Sequence, residues 1–163
     1  MTTQRVYLMA DQIEARLKEL GIELPEAASP AANYIPFVVT GKLVFISGQI
    51  TLLNGKIIHQ GRIGGGLTVD DGYQAARLCG LNLLAQLKVA AGGDLDNVSR
   101  VVKLGGFVNS VPTFTDQPEV INGASDLMVE VFGDSGKHAR FAVSAGALPR
   151  NVSVEIDGVF ELN

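Results

Sequence analysis

"HARFAVSAGALPRNVSVEIDGVFEL", residues 138–162, holds two runs with strand alternation on either side of a Leu-Pro turn. In the first run Arg140, Ala142 and Ser144 point one way, and Phe141, Val143 and Ala145 the other. A row of small residues against a core is ordinary; a guanidinium at its head is not. On spacing alone Arg140 reads as a surface arginine at a strand end. In the second run Ser153, Glu155 and Asp157 share a face, an alternation that a solvated outer face explains.

Upstream, the period changes twice. In "VINGASDLMVEVFG", residues 120–133, Val120, Ala124, Leu127, Met128 and Val131 make a helical stripe. "NVSRVVKLGGFVNS", residues 97–110, is a strand in which Gly105-Gly106 marks a bulge or a close backbone approach. Tyr73, Ala76, Leu83, Leu84 and Leu87 mark the apolar side of a long helix from Asp70 to the "AAGGD" segment. The order strand, strand, helix, strand, helix, strand, strand favours an α+β layered sheet over a doubly wound parallel one.

Residues 34–61 form a β region punctuated by "TG" and "NG". Asn54-Gly55 is a hairpin signal because both turn residues must accept positive φ. Within this region "ISGQI", residues 46–50, interrupts an apolar strand with Ser47, Gly48 and Gln49. A bulge, a strand end and a functional site are all open readings there. "RIGGGLTVDDG", residues 62–72, reads as a flexible connector, without dinucleotide-fingerprint spacing or a Walker lysine. Near the N-terminus Ile13, Leu17 and Leu20 have helical spacing over residues 9–20, with Asp11 as a cap and Gly21 as a stop. "PEAASPAANY" follows as a linker. The expectation is a single domain over 1–163, of which 1–28 is an appended helix and connector.

Composition narrows the function classes. Hydrophobic residues are 47% and charged residues 18%, enough apolar material for a core and a subunit interface. The net charge of −4 and the lack of a basic run disfavour nucleic-acid binding. No apolar stretch approaches a membrane span and no secretory leader is visible, so the expectation is a soluble cytoplasmic protein. Cys79, the single cysteine, excludes an internal disulfide and reads as a small buried apolar residue. His59 and His138 show no metal-ligand spacing, and no Gly-x-Ser-x-Gly elbow is present.

Taken together, "NYIPFVV…LVFISGQI", "EVINGASDLMVEVFG" and "HARFAVSAGALPRNVSVEIDGVFEL" resemble the RidA/YjgF family of reactive-intermediate deaminases, also known as the L-PSP endoribonuclease family, over residues 32–162. The resemblance implies a chorismate-mutase-like α+β subunit: an antiparallel or mixed sheet with two main helices on one face, assembled as a homotrimer with inter-subunit clefts. It implies hydrolysis of enamine or imine intermediates, such as 2-aminoacrylate, to 2-keto acids and ammonia, with no cofactor and no metal. Arg140 matches the arginine that binds the substrate carboxylate, a task suited to a planar guanidinium. Glu155 matches the acid that positions or activates water. Tyr34, Ser47, Asn122 and Ala142 match positions of substrate contact or cleft shape. Two departures are plain: "AANYIPF" stands where Gly-Pro-Tyr-Ser is usual, and Ala142 where cysteine is frequent. A non-catalytic small-molecule-binding trimer is the alternative function, and a ribonuclease or translation inhibitor the third.

Overall fold

A computed structural model describes residues 11–29 and 33–163. Its elements run α1 (Gln12–Glu19), β1 (Phe37–Thr40), β2 (Leu43–Ile50), β3 (Leu52–Leu53), β4 (Lys56–Ile57), α2 (Val69–Ala90), β5 (Val98–Asn109), α3 (Gln117–Phe132), β6 (Ala139–Ala145) and β7 (Val154–Leu162). Five strands form one mixed sheet in the order β1-β2-β7-β5-β6, and β3 and β4 form a separate hairpin. All neighbours in the large sheet are antiparallel except β5 and β6. That pair is parallel because α3 carries the chain back across the sheet between them, leaving β6 at an edge.

α2 and α3 pack on each other and on one face of the sheet. The expected stripes are there: Leu83, Leu84 and Leu87 of α2 and Val120, Ala124, Leu127, Met128 and Val131 of α3 are buried. They meet Val44, Leu104, Val108, Ile156 and Phe160 from alternate positions of the central strands. Each large apolar side chain taken fully from water contributes about 1.5–3 kcal/mol, so this single layer dominates the stability of the chain. Tyr73 departs from the apolar stripe; it is half-buried, and its hydroxyl donates to Asp126 at 2.8 Å.

Local signals resolve individually. Asn54 and Gly55 both have positive φ at the tip of the β3–β4 hairpin, as the sequence requires. Gly105 and Gly106 mark a close approach and not a bulge, since β5 shifts register earlier, between Val98 and Lys103. A Cβ at Gly106 would lie 2.7 Å from Ile121, inside van der Waals contact. The glycine-rich connector is firmer than its composition suggests. Ile63 is fully buried, its backbone bonds both Asn109 and Val111, and Thr68 with Asp71 forms a capping box that starts α2. Ser153 is not on a solvated face; it precedes β7 and is fully buried.

The N-terminal helix begins at Gln12, and residues 9 and 10 of the expected helix lie outside the described ones. Gly21 ends it with φ of +66°. Asp11 does not cap it: that residue is left-handed and its side chain makes no capping bond. Asp96, which is 84 residues away from Gln12, takes that role. Its carboxylate accepts from the backbone N–H groups of Gln12 and Ile13, both at 2.8 Å. Leu17 is buried in the main core, Arg16 donates to the Glu130 carbonyl at 2.9 Å, and Lys88 pairs with Glu14. Replacing Asp96 by alanine leaves two helix-terminal N–H groups without that acceptor and should cost about 1 kcal/mol in urea unfolding. Asp96→Asn is expected to recover part of the loss.

Candidate functional site

The alternation expected of β6 is observed. Arg140, Ala142 and Ser144 face the helix side of the sheet, while Phe141 and Val143 face away. Arg140 is pinned by α3: one N–H of Nη1 donates to Ser125 Oγ at 2.9 Å, and Nη2 makes a longer contact of 3.4 Å with the Pro118 carbonyl. A guanidinium carries five donors in one plane, so three remain for a ligand. Asn122 lies one helical turn from both Pro118 and Ser125, on the α3 face that meets Arg140. Ala142 packs against the core beside them. Ser144 is held by Ser110 at 2.6 Å and Gln117 at 2.8 Å. The edge position of β6 leaves one side of its backbone without a strand partner among the described residues.

Sequence reasoning missed what stands behind the arginine. His138 Nε2 lies 2.9 Å from Ser125 Oγ, and Nδ1 lies 2.6 Å from the Gly136 carbonyl. A carbonyl only accepts, so in the neutral ring Nδ1 carries the proton and Nε2 accepts from the Ser125 hydroxyl. The serine oxygen is thereby turned toward the Arg140 N–H. The chain arginine–serine–histidine–carbonyl fixes the guanidinium plane. Its one visible signal in the sequence is the i, i+3 spacing of Asn122 and Ser125 on a helix.

Glu155 sits on the opposite face of the sheet, two strands from Arg140. It lies against the irregularity in β2, where pairing with β7 shifts register between Ile46 and Gln49. Ser47-Gly48 is thus a β-bulge, one of the readings left open by "ISGQI". The Glu155 carboxylate packs directly against Gly48, so a side chain at residue 48 would push that carboxylate aside. Gly48, Phe107, Ala145, Leu148 and Asp157 complete a shallow hollow around it. Burial, with a smaller push from the neighbouring Asp157 carboxylate, raises the Glu155 pKa above the ordinary glutamate range. A carboxyl tuned in that direction is better matched to proton transfer near neutrality.

Tyr34 and Ser47 lie on the far side of the same bulge, lining a cavity of about 270 Å³ together with Gly48 and Gln49. The Ser47 hydroxyl donates to the Ile35 carbonyl at 2.9 Å, tying the segment that carries Tyr34 to β2. The candidate residues therefore fall into two groups. Arg140, Asn122 and Ala142 gather on the helix side of the edge strand, whereas Glu155, Ser47 and Tyr34 surround the β2 bulge. Three strand spacings separate β2 from β6, roughly 14 Å. Within one chain Arg140 and Glu155 do not meet.

Cys79, expected to be a buried small residue, is fully buried in α2, and burial pushes its thiol pKa far up. No helix among the described residues is long and apolar enough to cross a membrane.

Comparison with known proteins places this architecture. Residues 14–161 match the model of the YjgF/chorismate mutase-like endoribonuclease family. Protein TCP17 of Trypanosoma cruzi is 48% identical over 153 residues, covering 93% of this chain and 95% of that protein. A Dermatophagoides farinae protein named 2-iminobutanoate/2-iminopropanoate deaminase is 29% identical over 138 residues, covering 85% of this chain and 92% of its own. The crystal structure of Atu1372 from Agrobacterium tumefaciens, described as of unknown function, superposes with a TM-score of 0.89 at 49% identity. It covers 99% of this chain and 100% of its own.

The Glu155 environment has a measurable consequence. Because its folded pKa is raised, the folded chain keeps the proton to higher pH than the unfolded chain. Stability then falls as pH rises from the ordinary glutamate range through that raised value. Glu155→Gln removes this penalty. It should raise Tm by roughly a degree or two at neutral pH and give no gain near pH ~3, below the ordinary glutamate pKa. Scanning calorimetry at the two pH values checks the sign.

Proposed function

The chain belongs to the YjgF/chorismate mutase-like endoribonuclease family, and on that premise we propose that it is a cytoplasmic, single-domain homotrimer that hydrolyses 2-imino acids, and the enamines that tautomerise to them, to 2-keto acids and ammonia. One observation carries the reading: an arginine with free donors and a raised carboxyl lie on opposite faces of one sheet, so only a neighbouring copy can join them. The sheet face away from the helices supports assembly, because Phe45, Phe107 and Val143 stand there 45%, 38% and 44% exposed. The mite relative named as an imine deaminase supports the reaction class.

On this reading the Arg140 edge of one copy adjoins the β2 bulge of the next, giving three equivalent clefts. Arg140 grips the substrate carboxylate, with Asn122 and the backbone at Ala142 beside it. Tyr34 and Ser47 shape the opposite wall. Glu155 accepts a proton from water as the water oxygen bonds to C2; the C=N electron pair moves to nitrogen, which takes up a proton. The resulting carbinolamine passes its hydroxyl proton to nitrogen, restores C=O and breaks the C–N bond, releasing ammonia. Carbon keeps its oxidation level throughout, so the step needs no redox group. The family description also carries endoribonuclease activity. Net charge −4 and a carboxylate pair at the sheet face make a poor surface for a polyanion.

The test is complementation. Arg140→Ala and Glu155→Gln should each lower keto-acid release from freshly generated 2-aminoacrylate by about 10²–10³-fold. Co-expressed in equal amounts, the two variants build mixed trimers. A cleft works when its arginine comes from the Glu155→Gln chain and its glutamate from the Arg140→Ala chain, giving about a quarter of wild-type activity. Mixed trimers no more active than the single variants would sink the inter-subunit site. Tight carboxylate binding by wild type without turnover would instead favour the non-catalytic trimer.

A further inference from the structure

The cavity beside Tyr34 and Ser47 extends well past the bulge. Its volume of about 270 Å³ is several times the ~30 Å³ that one water occupies in the liquid. Pro36, Ile50, Leu52 and Ile57 supply apolar wall, and Ala28 and Ser29 of the N-terminal connector close one side. Asn82 and Gln86, one turn apart on α2, also line it. Both are nearly inaccessible, at 8% and 3% exposure.

The two amides are fixed. Asn82 Nδ2 donates to the carbonyls of Ile50 at 3.0 Å and Leu52 at 2.9 Å, and Gln86 Nε2 donates to the carbonyl of Ala28 at 2.7 Å. Reversing either amide would press oxygen against a carbonyl, so the nitrogens are committed to the backbone. What remains are Asn82 Oδ1 and Gln86 Oε1, neither of which accepts a bond from any described residue. Neither oxygen is sealed off without a partner, so both stay open to an N–H donor that enters the cavity. The one charged side chain among the described lining residues is Arg150, a cation, which disfavours a cationic visitor.

We propose that this cavity is a side-chain subsite selecting 2-imino acids whose side chain ends in an uncharged N–H donor, above all a primary amide. The inference rests on the proposed imine chemistry for its orientation: carboxylate at Arg140 of the adjoining copy, C2 near Glu155, side chain running past Ser47 and Tyr34 to Asn82 and Gln86. The longer N-terminal segment then helps choose the substrate, through its connector.

Unreactive carboxylates separate the two ideas. Glutaramate carries a carboxylate and a primary amide; 5-methylhexanoate has the same shape without N–H groups; glutarate replaces the amide by a second carboxylate. Titration calorimetry on the assembled wild type should show glutaramate binding about ten-fold tighter than 5-methylhexanoate, with glutarate weakest. Gln86→Met, which keeps length and loses the acceptor, should abolish the preference. Ile57→Phe, which fills the cavity and leaves Gln86 in place, should weaken glutaramate more than propanoate. Equal affinity for glutaramate and 5-methylhexanoate, both lost in Arg140→Ala, would overturn the subsite and leave the imine reading standing. A glutaramate preference that persists undiminished in Arg140→Ala would keep the subsite and remove the carboxylate role. No binding of any of the probes overturns the subsite.

Discussion

Helices cover one face of the sheet and leave the other bare, and strand alternation sorts every polar side chain into one of those two environments. Arg140 falls on the covered side, where α3 offers a hydroxyl and a carbonyl to hold it. Glu155 falls on the bare side, against a bulged backbone and partly out of water. Rotamer changes cannot bring Arg140 and Glu155 together across a packed sheet. The division follows from the α3 crossover, which returns the chain as an edge strand parallel to β5. An interior β6 would bury its free backbone edge and close off the space beside Arg140.

The bare face around Glu155 is apolar as well as open. Phe107 and Phe141 pack edge to face at 5.3 Å, with Lys103 Nζ 5.5 Å from the Phe141 ring centre. This aromatic and aliphatic surface is the kind that association removes from water. A neighbour docking there would further desolvate the Glu155 hollow, moving its carboxyl in the direction it already leans. In the proposed trimer, one surface would then serve both assembly and the tuning of Glu155.

Much of this fold was legible because period and punctuation agree. The two C-terminal strands, the α3 stripe and the Asn54-Gly55 hairpin each follow from local pattern, and the structure has them at those residues. What escaped was non-local. Nothing near Asp11 says that the α1 cap comes from Asp96 across the fold. "SGQ" was open to a bulge, a strand end or a site; the bulge is there, and the carboxylate packed against its glycine comes from a strand more than a hundred residues later. His138 looked inert because it lacked metal spacing, yet its partner is a helix serine 13 residues away. The solvated-face reading failed at Ser153, which is fully buried just before β7 begins.

α2 shows how one helix serves the core and a cavity together. Its leucines fill the core, which would ordinarily exclude amides from the same buried segment. Asn82 and Gln86 are tolerated because their nitrogens bond carbonyls that helix and sheet leave within reach: Ile50 at the end of β2, Leu52 at the start of the hairpin, Ala28 in the connector. These bonds stitch the hairpin and connector to the helix and so create the cavity walls. The same geometry commits every amide nitrogen and leaves every amide oxygen, so the polarity of the cavity is a by-product of how its walls are fastened. A substitution that preserves the wall while reversing that polarity must supply the three backbone carbonyls with donors from elsewhere, and no other described side chain donates to them.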